Sequence, residues 1–136
     1  GRVWGAFLGT DGYLVQVFCN TTGAYSADYL VYLFDANTKE AKLLDFEYFE
    51  QEKNKKIKRK VTQKPVGVSF DPSAQVITLS DRYFGASQCG WEAKYKVVNR
   101  KAQLVGMRAE WNCEPGTDYD KWKKVNLGVL RKTLKN

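Results

Sequence analysis

The residues of this chain that could do chemistry are three cysteines, two pairs of carboxylates and one dense run of lysines. The chain contains no histidine, which removes Ser-His and Cys-His nucleophile pairs and the commonest transition-metal ligand. Paired carboxylates, here Asp45/Glu47 and Asp118/Asp120, can hydrolyse glycosides. We interpret both pairs as solvated surface, because one falls on an outward strand face and the other in a turn. The sequence therefore predicts a protein that is not an enzyme and needs no cofactor or metal.

Two of the cysteines, Cys89 and Cys113, flank a segment with the pattern of a β-hairpin. Every second residue on each arm is apolar, which is typical of strands with one buried face. These residues are Trp91, Ala93, Tyr95 and Val97 on the first arm and Val105, Met107, Ala109 and Trp111 on the second. A register that opposes Trp91 to Trp111 also opposes Cys89 to Cys113, with Tyr95 facing Met107 and Val97 facing Val105.

That register predicts a disulfide between Cys89 and Cys113. Directly opposed Cα atoms in a non-hydrogen-bonded antiparallel pair lie about 4.5 Å apart, which a disulfide can span. The alternative is two free thiols that pack as small apolar residues. A disulfide would place the protein in an oxidising compartment, and Cys19 would then be either a buried thiol or the partner of a cysteine in an upstream segment.

The net charge of +7 is concentrated in a basic run whose members are Lys53, Lys55, Lys56, Lys58, Arg59 and Lys60. Such a patch suits phosphate, an acidic membrane surface or an acidic protein, although a solvated hairpin tip is the simpler interpretation. Nucleic acid is disfavoured as a partner, because nucleic-acid readers interleave aromatic residues with their basic ones and this run contains only Ile57. Tyr83 and Trp122 fall in segments that look irregular, so we expect them to be exposed contact residues.

The elements that position these residues are short strands separated by turns. Alternation and apolar runs predict strands at 4–8, 13–19, 28–34, 41–49, 66–70, 76–79 and 127–130, besides the two arms of the hairpin. The basic stretch 51–60 is either a protruding turn between strands or a mobile loop. Thr117 could N-cap a helical turn at 118–121, and residues 81–88 are expected to be irregular. The chain is predicted to be one all-β domain, residues 1–136, forming an antiparallel barrel or sandwich of about eight short strands with a disulfide-closed hairpin.

Three passages resemble a family of exported bacterial proteins, domain of unknown function eleven-seventy-six. They are the segment CNTTGAY at 19–25, the segment SFDP at 69–72 leading to the Cys-Gly step at 89–90, and the segment WEAKY at 91–95 followed by 104–113 and Trp122. The chain reads RYFGASQ at 82–88, where the family often has Arg-Gly-Leu-Gly-Asp. The resemblance implies export to the cell envelope. It implies no established activity, so no catalytic residues are carried over.

These observations favour a non-enzymatic binding or scaffold domain in the periplasm or another extracytoplasmic compartment. The expected partner is another protein or an acidic membrane surface. One alternative is a subunit of a larger membrane-associated assembly that docks through the basic stretch, and another is a lysozyme-inhibitor-like protein. Like charges oppose the second alternative, because lysozymes are themselves basic. No apolar run approaches the ~18 residues of a transmembrane helix, and the start at Gly1 is typical of a processed or trimmed terminus.

Overall fold

Three antiparallel sheets and one short helix make up the part of the chain that the structure, a computed structural model, describes: residues 3–8, 12–21, 27–84, 89–114 and 116–134. The first sheet has the order β1-β2-β3-β4, with β1 at Val3–Phe7, β2 at Tyr13–Thr21, β3 at Ala27–Asp35 and β4 at Glu40–Leu43. The second is a hairpin of β5 (Phe46–Gln51) and β6 (Ile57–Thr62). The third has the order β11-β10-β9-β8-β7.

The third sheet carries the disulfide-closed hairpin at its centre. Its strands are β7 (Ser69–Asp71), β8 (Val76–Phe84), β9 (Cys89–Val98), β10 (Lys101–Glu110) and β11 (Lys123–Lys124). A 3-10 helix at Tyr119–Lys121 precedes β11, and helix α1 at Leu127–Thr133 follows it. The all-β antiparallel prediction is confirmed. The arrangement fits a sandwich, and no closed barrel forms within the described residues.

The core lies between the sheets and takes side chains from all three. Buried members include Leu14, Val31 and Leu33 from the first sheet, Phe46 and Phe49 from β5, and Ile77, Leu79, Trp91, Ala93, Tyr95, Met107 and Ala109 from the third. The ring of Tyr95 meets Phe46 edge-on at 5.1 Å, and Trp91 stacks on Tyr48 at 4.6 Å. The predicted inward face of β9 is therefore confirmed, and β5 is the element that packs against it.

The predicted register of the β9–β10 hairpin is wrong. Trp91 lies opposite Ala109, not Trp111, and Tyr95 lies opposite Leu104. A bulge between Leu104 and Gly106 shifts the pairing by one residue, and it leaves Val105 half exposed while Leu104 is buried. The inserted residue also explains why simple alternation placed Val105 on the inner face.

The disulfide between Cys89 and Cys113 is nevertheless confirmed, with 5.1 Å between the two Cα atoms. Continuing the observed register would oppose Cys89 to Trp111, and β10 has already ended at Glu110. The sulfurs meet because residues 111–114 form an irregular segment that follows β10. The disulfide thus fastens this segment to the start of β9.

Three further elements differ from the predictions. The strand expected at 41–49 is two strands in different sheets, because the chain turns at Leu44, whose amide donates to the carbonyl of Val31 at 2.9 Å. The irregular segment expected from residue 81 is strand as far as Phe84, since β8 continues to pair with β9. The last strand, expected at 127–130, is helix α1.

Helix α1 has a clear local cause. The side chain of Asn126 caps it by accepting from the amide of Val129 at 3.1 Å. Leu127, Leu130 and Leu134 pack against the core at helical spacing. The short helical turn predicted at 118–121 is the 3-10 helix, and its N-cap is Asp118 in place of Thr117. The segment CNTTGAY at 19–25 lies mostly outside the described residues, as does the side chain of Cys19.

Candidate binding groove

The basic stretch is a β-hairpin with a hydrogen-bonded turn. Between β5 and β6, the Glu52 amide donates to the Lys56 carbonyl at 2.8 Å, and the Lys55 amide donates to the Glu52 carbonyl at 2.9 Å. Asn54 Oδ1 accepts from the Lys56 amide at 3.0 Å. Lys55 adopts the left-handed conformation with φ 65°. The structure therefore shows the first of the two alternatives for this stretch, a protruding turn between strands.

The hairpin divides its basic residues into two groups. Arg59 Nε lies 2.5 Å from Glu47 Oε2, and Lys60 Nζ lies 3.0 Å from Glu50 Oε1 and 3.7 Å from Glu52. Arg59 and Lys60 both belong to β6, and they pair with carboxylates of β5 or of the turn. The other four are exposed and form no ion pair with any residue in the described ranges; they are Lys53, Lys55, Lys56 and Lys58. The first group braces the hairpin, and the second is available to a partner.

The prediction that Tyr83 and Trp122 are exposed is wrong. Tyr83 is half-buried on β8, and its hydroxyl donates to Glu50 Oε2 at 2.6 Å. Burial and this hydrogen bond raise the pKa of the Tyr83 phenol far above its ordinary value. Trp122 is only 6% exposed and packs against Tyr119 with 4.7 Å between ring centroids. Neither side chain presents the open surface that the sequence suggested.

A surface groove of about 880 Å³ lies beside the hairpin turn. Lys53 and Lys55 of the turn line one part of it, and Lys123 and Lys124 of β11 line another. Its apolar lining comes from Ile57, Trp111, Val125, Val129 and Leu130. Val129 is 54% exposed, so this lining includes apolar surface that the fold itself does not cover. We call this site the lysine groove.

The carboxylates of the lysine groove are Glu52, Glu110 and Glu114. Glu52 lies near Lys60, as described above, and Glu110 Oε2 accepts from the amide of Asn112 at 3.2 Å. Lys123 and Lys124, like the lysines of the turn, make no ion pair within the described part of the chain. The groove therefore carries four unpaired cations against three carboxylates, two of which already have partners.

One wall of the groove is the irregular segment that the disulfide holds. Trp111, Asn112 and Glu114 line the groove, and Cys113 lies between them in sequence. Trp111 does not form the core pair with Trp91 that the sequence predicted. It is half-buried, and its indole Nε1 is buried without an acceptor among the described residues. Nothing in the sequence marks Lys123, Lys124 or helix α1 as parts of a site, because they reach the groove only through the path that the folded chain takes after β10.

One member of each carboxylate pair, Glu47 and Asp118, has a structural role. Burial opposes ionisation of Glu47, but hydrogen bonds from Arg59 and from Arg131 at 2.9 Å outweigh it and hold the pKa of this carboxyl below its usual value. A carboxylate so held is unsuited to general-acid chemistry. Asp118 accepts from the amide of Asp120 as the cap of the 3-10 helix. Within the described residues, no three Cys, Asp or Glu side chains are grouped so that they could hold a metal ion.

Fold and groove together define a disulfide-braced antiparallel β-sandwich with a lysine-lined surface site. No protein-family model, curated protein or solved structure matches the chain. The resemblance to family eleven-seventy-six stays a prediction. In the part of the chain that the structure covers, no helix has the length and apolar character needed to span a membrane.

Proposed function

We propose that this protein is a non-catalytic binding domain of an extracytoplasmic compartment such as the periplasm, and that it holds an acidic protein partner at its basic hairpin. The observation that carries the proposal is the division of the hairpin's basic residues. Arg59 and Lys60 brace the hairpin through ion pairs, whereas the four lysines of the tip, Lys53, Lys55, Lys56 and Lys58, are exposed without ion pairs among the described residues.

Like charges gathered at one end of the hairpin, in its turn and at the start of β6, repel one another, which disfavours the folded state unless a partner of opposite charge binds them. An acidic partner relieves this repulsion and gains ion pairs with lysines whose turn is already hydrogen-bonded. The long flexible lysine side chains still lose freedom on binding, so the attraction is expected to be moderate and sensitive to salt.

The disulfide supports the proposed compartment. Bonded cysteines persist in secreted and periplasmic proteins and are rare in the reducing cytosol. The family resemblance, which implies export, supports the same location. An acidic protein is favoured over nucleic acid, because the hairpin tip offers lysines and Ile57 but no aromatic residue on which a base could stack. A subunit docked through this hairpin into a membrane-associated assembly is one form of the same proposal.

The test is cross-linking and co-purification from the envelope fraction with a tagged protein. Neutralising the four tip lysines to Gln should abolish recovery of the partner. A matched variant that neutralises four exposed lysines elsewhere, Lys39, Lys94, Lys96 and Lys132, should retain it. Raising the salt concentration should weaken the wild-type interaction in the same way. Association that survives both the tip substitutions and high salt would overturn the proposal, as would turnover of a glycan or ester that is lost in Asp118→Asn or Asp120→Asn.

A further inference from the structure

We infer that the lysine groove binds an extended acidic peptide segment of the partner protein, with carboxylates at the lysines and one apolar side chain on the groove's apolar lining. The inference rests on the proposed function and adds the site and the chemistry of the bound segment. It depends on two features of the groove, its charge and its uncovered apolar surface.

The charge comes from two separate elements. Lys53 and Lys55 stand on the turn of the hairpin, and Lys123 and Lys124 stand on β11, far away in sequence. A single phosphate or carboxylate would be held by one cluster. Two lysine pairs along one groove suit a chain that carries several carboxylates in succession, as an extended acidic segment does.

The apolar surface argues for a peptide and against a simple polyanion. Val129 is 54% exposed although Leu127 and Leu130 of the same helix pack against the core, so it projects away from that core. Ile57 and Trp111 extend the apolar lining. A groove of about 880 Å³ has the size of typical ligand sites, which bury apolar groups and orient them with a few polar ones. An apolar residue of the peptide would cover this surface.

The carboxylates in the groove restrict the class of acidic ligand that it can bind. Glu110, the last residue of β10, and Glu114, in the irregular segment that follows, repel a uniformly negative ligand. A nucleic-acid strand or an anionic bilayer carries negative charge at every repeat and meets this repulsion. A peptide places its acidic residues at the lysines and a neutral residue beside Glu110, so it avoids the repulsion.

The experiment uses fluorescence anisotropy with labelled peptides of about ten residues. The probe carries several Glu residues around one central Leu, and its matched control replaces that Leu with Ser. Three variants of the protein are compared with the wild type. The double variant K53E/K55E changes the hairpin tip, K123E/K124E changes only the β11 part, and Val129→Ser changes only the apolar lining. K94E/K96E, on the exposed face of β9, is the charge-matched control.

The expected result is that each charge-reversed pair in the groove weakens binding of the Leu peptide by about tenfold at low salt. Val129→Ser should weaken binding of the Leu peptide but leave the weaker Ser peptide unchanged, and K94E/K96E should bind both as the wild type does. Circular dichroism of each variant verifies that it is folded.

One outcome would overturn the inference while leaving the proposed function intact. In that outcome, K53E/K55E weakens binding while K123E/K124E and Val129→Ser do not, which restricts the contact to the hairpin tip. A different outcome, in which anionic lipid vesicles bind in a tip-dependent manner and neither peptide does, would make the surface a membrane contact and would overturn both the inference and the proposed protein partner. If binding does not depend on the tip lysines at all, the proposed function itself is overturned.

Discussion

The hydroxyl of Tyr95 on β9 donates a 2.7 Å hydrogen bond to the backbone carbonyl of Glu47 on β5. The same residue, Glu47, binds Arg59 and Arg131 through its side chain. One residue of β5 therefore connects the buried centre of the third sheet, the basic hairpin and helix α1. The hairpin that carries the tip lysines depends on this junction for its position against the core.

Tyr95→Phe tests the junction directly. The side chain of Tyr95 is fully buried, and burial raises the pKa of its phenol, so the hydroxyl stays protonated and acts as a donor. Removing it leaves the carbonyl of Glu47 without this donor, and we expect a loss of about 1–2 kcal/mol in the free energy of unfolding. Urea denaturation measures this loss of stability.

Tyr13→Phe is the control, because Tyr13 is 41% exposed and the change in its free energy of unfolding should be near zero. Equal stability of the two variants would contradict the role of the bond.

The sequence predicted the parts of this fold that depend on local alternation. The strands containing Val15, Val31, Phe70 and Trp91 are present. Alternation identifies strands that have one face toward the core and one toward solvent, and the strand with Val31 was identified by its apolar run. The disulfide was also predicted, although the register used to predict it is wrong.

The features that the sequence did not predict depend on tertiary context. A one-residue bulge after Leu104 carries no signature in the residues themselves, yet it reverses which face Val105 occupies. Helix α1 is the exception, because its signals are local: Asn126 can cap it, and Leu127, Leu130 and Leu134 have helical spacing, although the short apolar run at 127–130 also fits a strand. The sequence did not predict the lysine groove for the same reason as the bulge. Its two lysine pairs are far apart in sequence and come together only in the folded chain.

The disulfide gives a prediction about stability. It closes a loop between residues 24 apart in sequence, and the chain-entropy treatment assigns about 3 kcal/mol to a loop of this size. Replacing both Cys89 and Cys113 by Ala should lower the free energy of unfolding by this amount. Because Cys113 holds the segment that forms one wall of the lysine groove, peptide affinity should fall in the same variant even under conditions where it remains folded.

The control for this variant is the effect of a reductant on both proteins. The wild type should lose comparable stability when it is reduced, whereas the double alanine variant should not respond. Alkylation under non-reducing conditions, followed by mass measurement, should label at most one cysteine of the unfolded wild-type protein. Three labelled thiols in freshly isolated material would contradict both the disulfide and the proposed compartment.

Glu47 gives a prediction about pH. Its pKa is depressed in the folded state, so the stabilisation that it contributes is fully present above the unfolded value near 4.5 and is lost as pH falls through the folded pKa. Glu47→Gln should therefore be less stable than the wild type by about 1 kcal/mol near neutral pH, and the difference should shrink below about pH 4.5. Thermal denaturation across about pH 3–7 covers this transition and measures the difference in stability between the two proteins. Glu40→Gln, at the exposed first residue of β4, is the charge-matched control and should have a stability close to that of the wild type. A constant gap between wild type and Glu47→Gln at all pH values would show that the residue acts by packing alone.

The turn between β9 and β10 contains a strained residue whose replacement is expected to stabilise the protein. Asn99 and Arg100 both have positive φ, 51° and 61°, as a two-residue hairpin turn of this hand requires. Gly occupies that region freely, so Arg100→Gly relieves about 1 kcal/mol of backbone strain. It also removes the pair between Arg100 Nη1 and Asp35 at 3.4 Å, but that pair is long and only partly buried, so it contributes little.

Relief of strain should therefore outweigh the lost pair, and Arg100→Gly should be at least as stable as the wild type. Arg100→Ala separates the two effects, because it removes the same pair and keeps a side chain in the left-handed region. We expect it to be the less stable of the two variants by about 1 kcal/mol in urea denaturation. The reverse order would mean that the pair with Asp35, and not the backbone of Arg100, governs the stability of this turn. Since the carbonyl of Arg100 also accepts from Lys42 Nζ at 2.8 Å, Lys42→Met would then reveal whether that contact makes the difference.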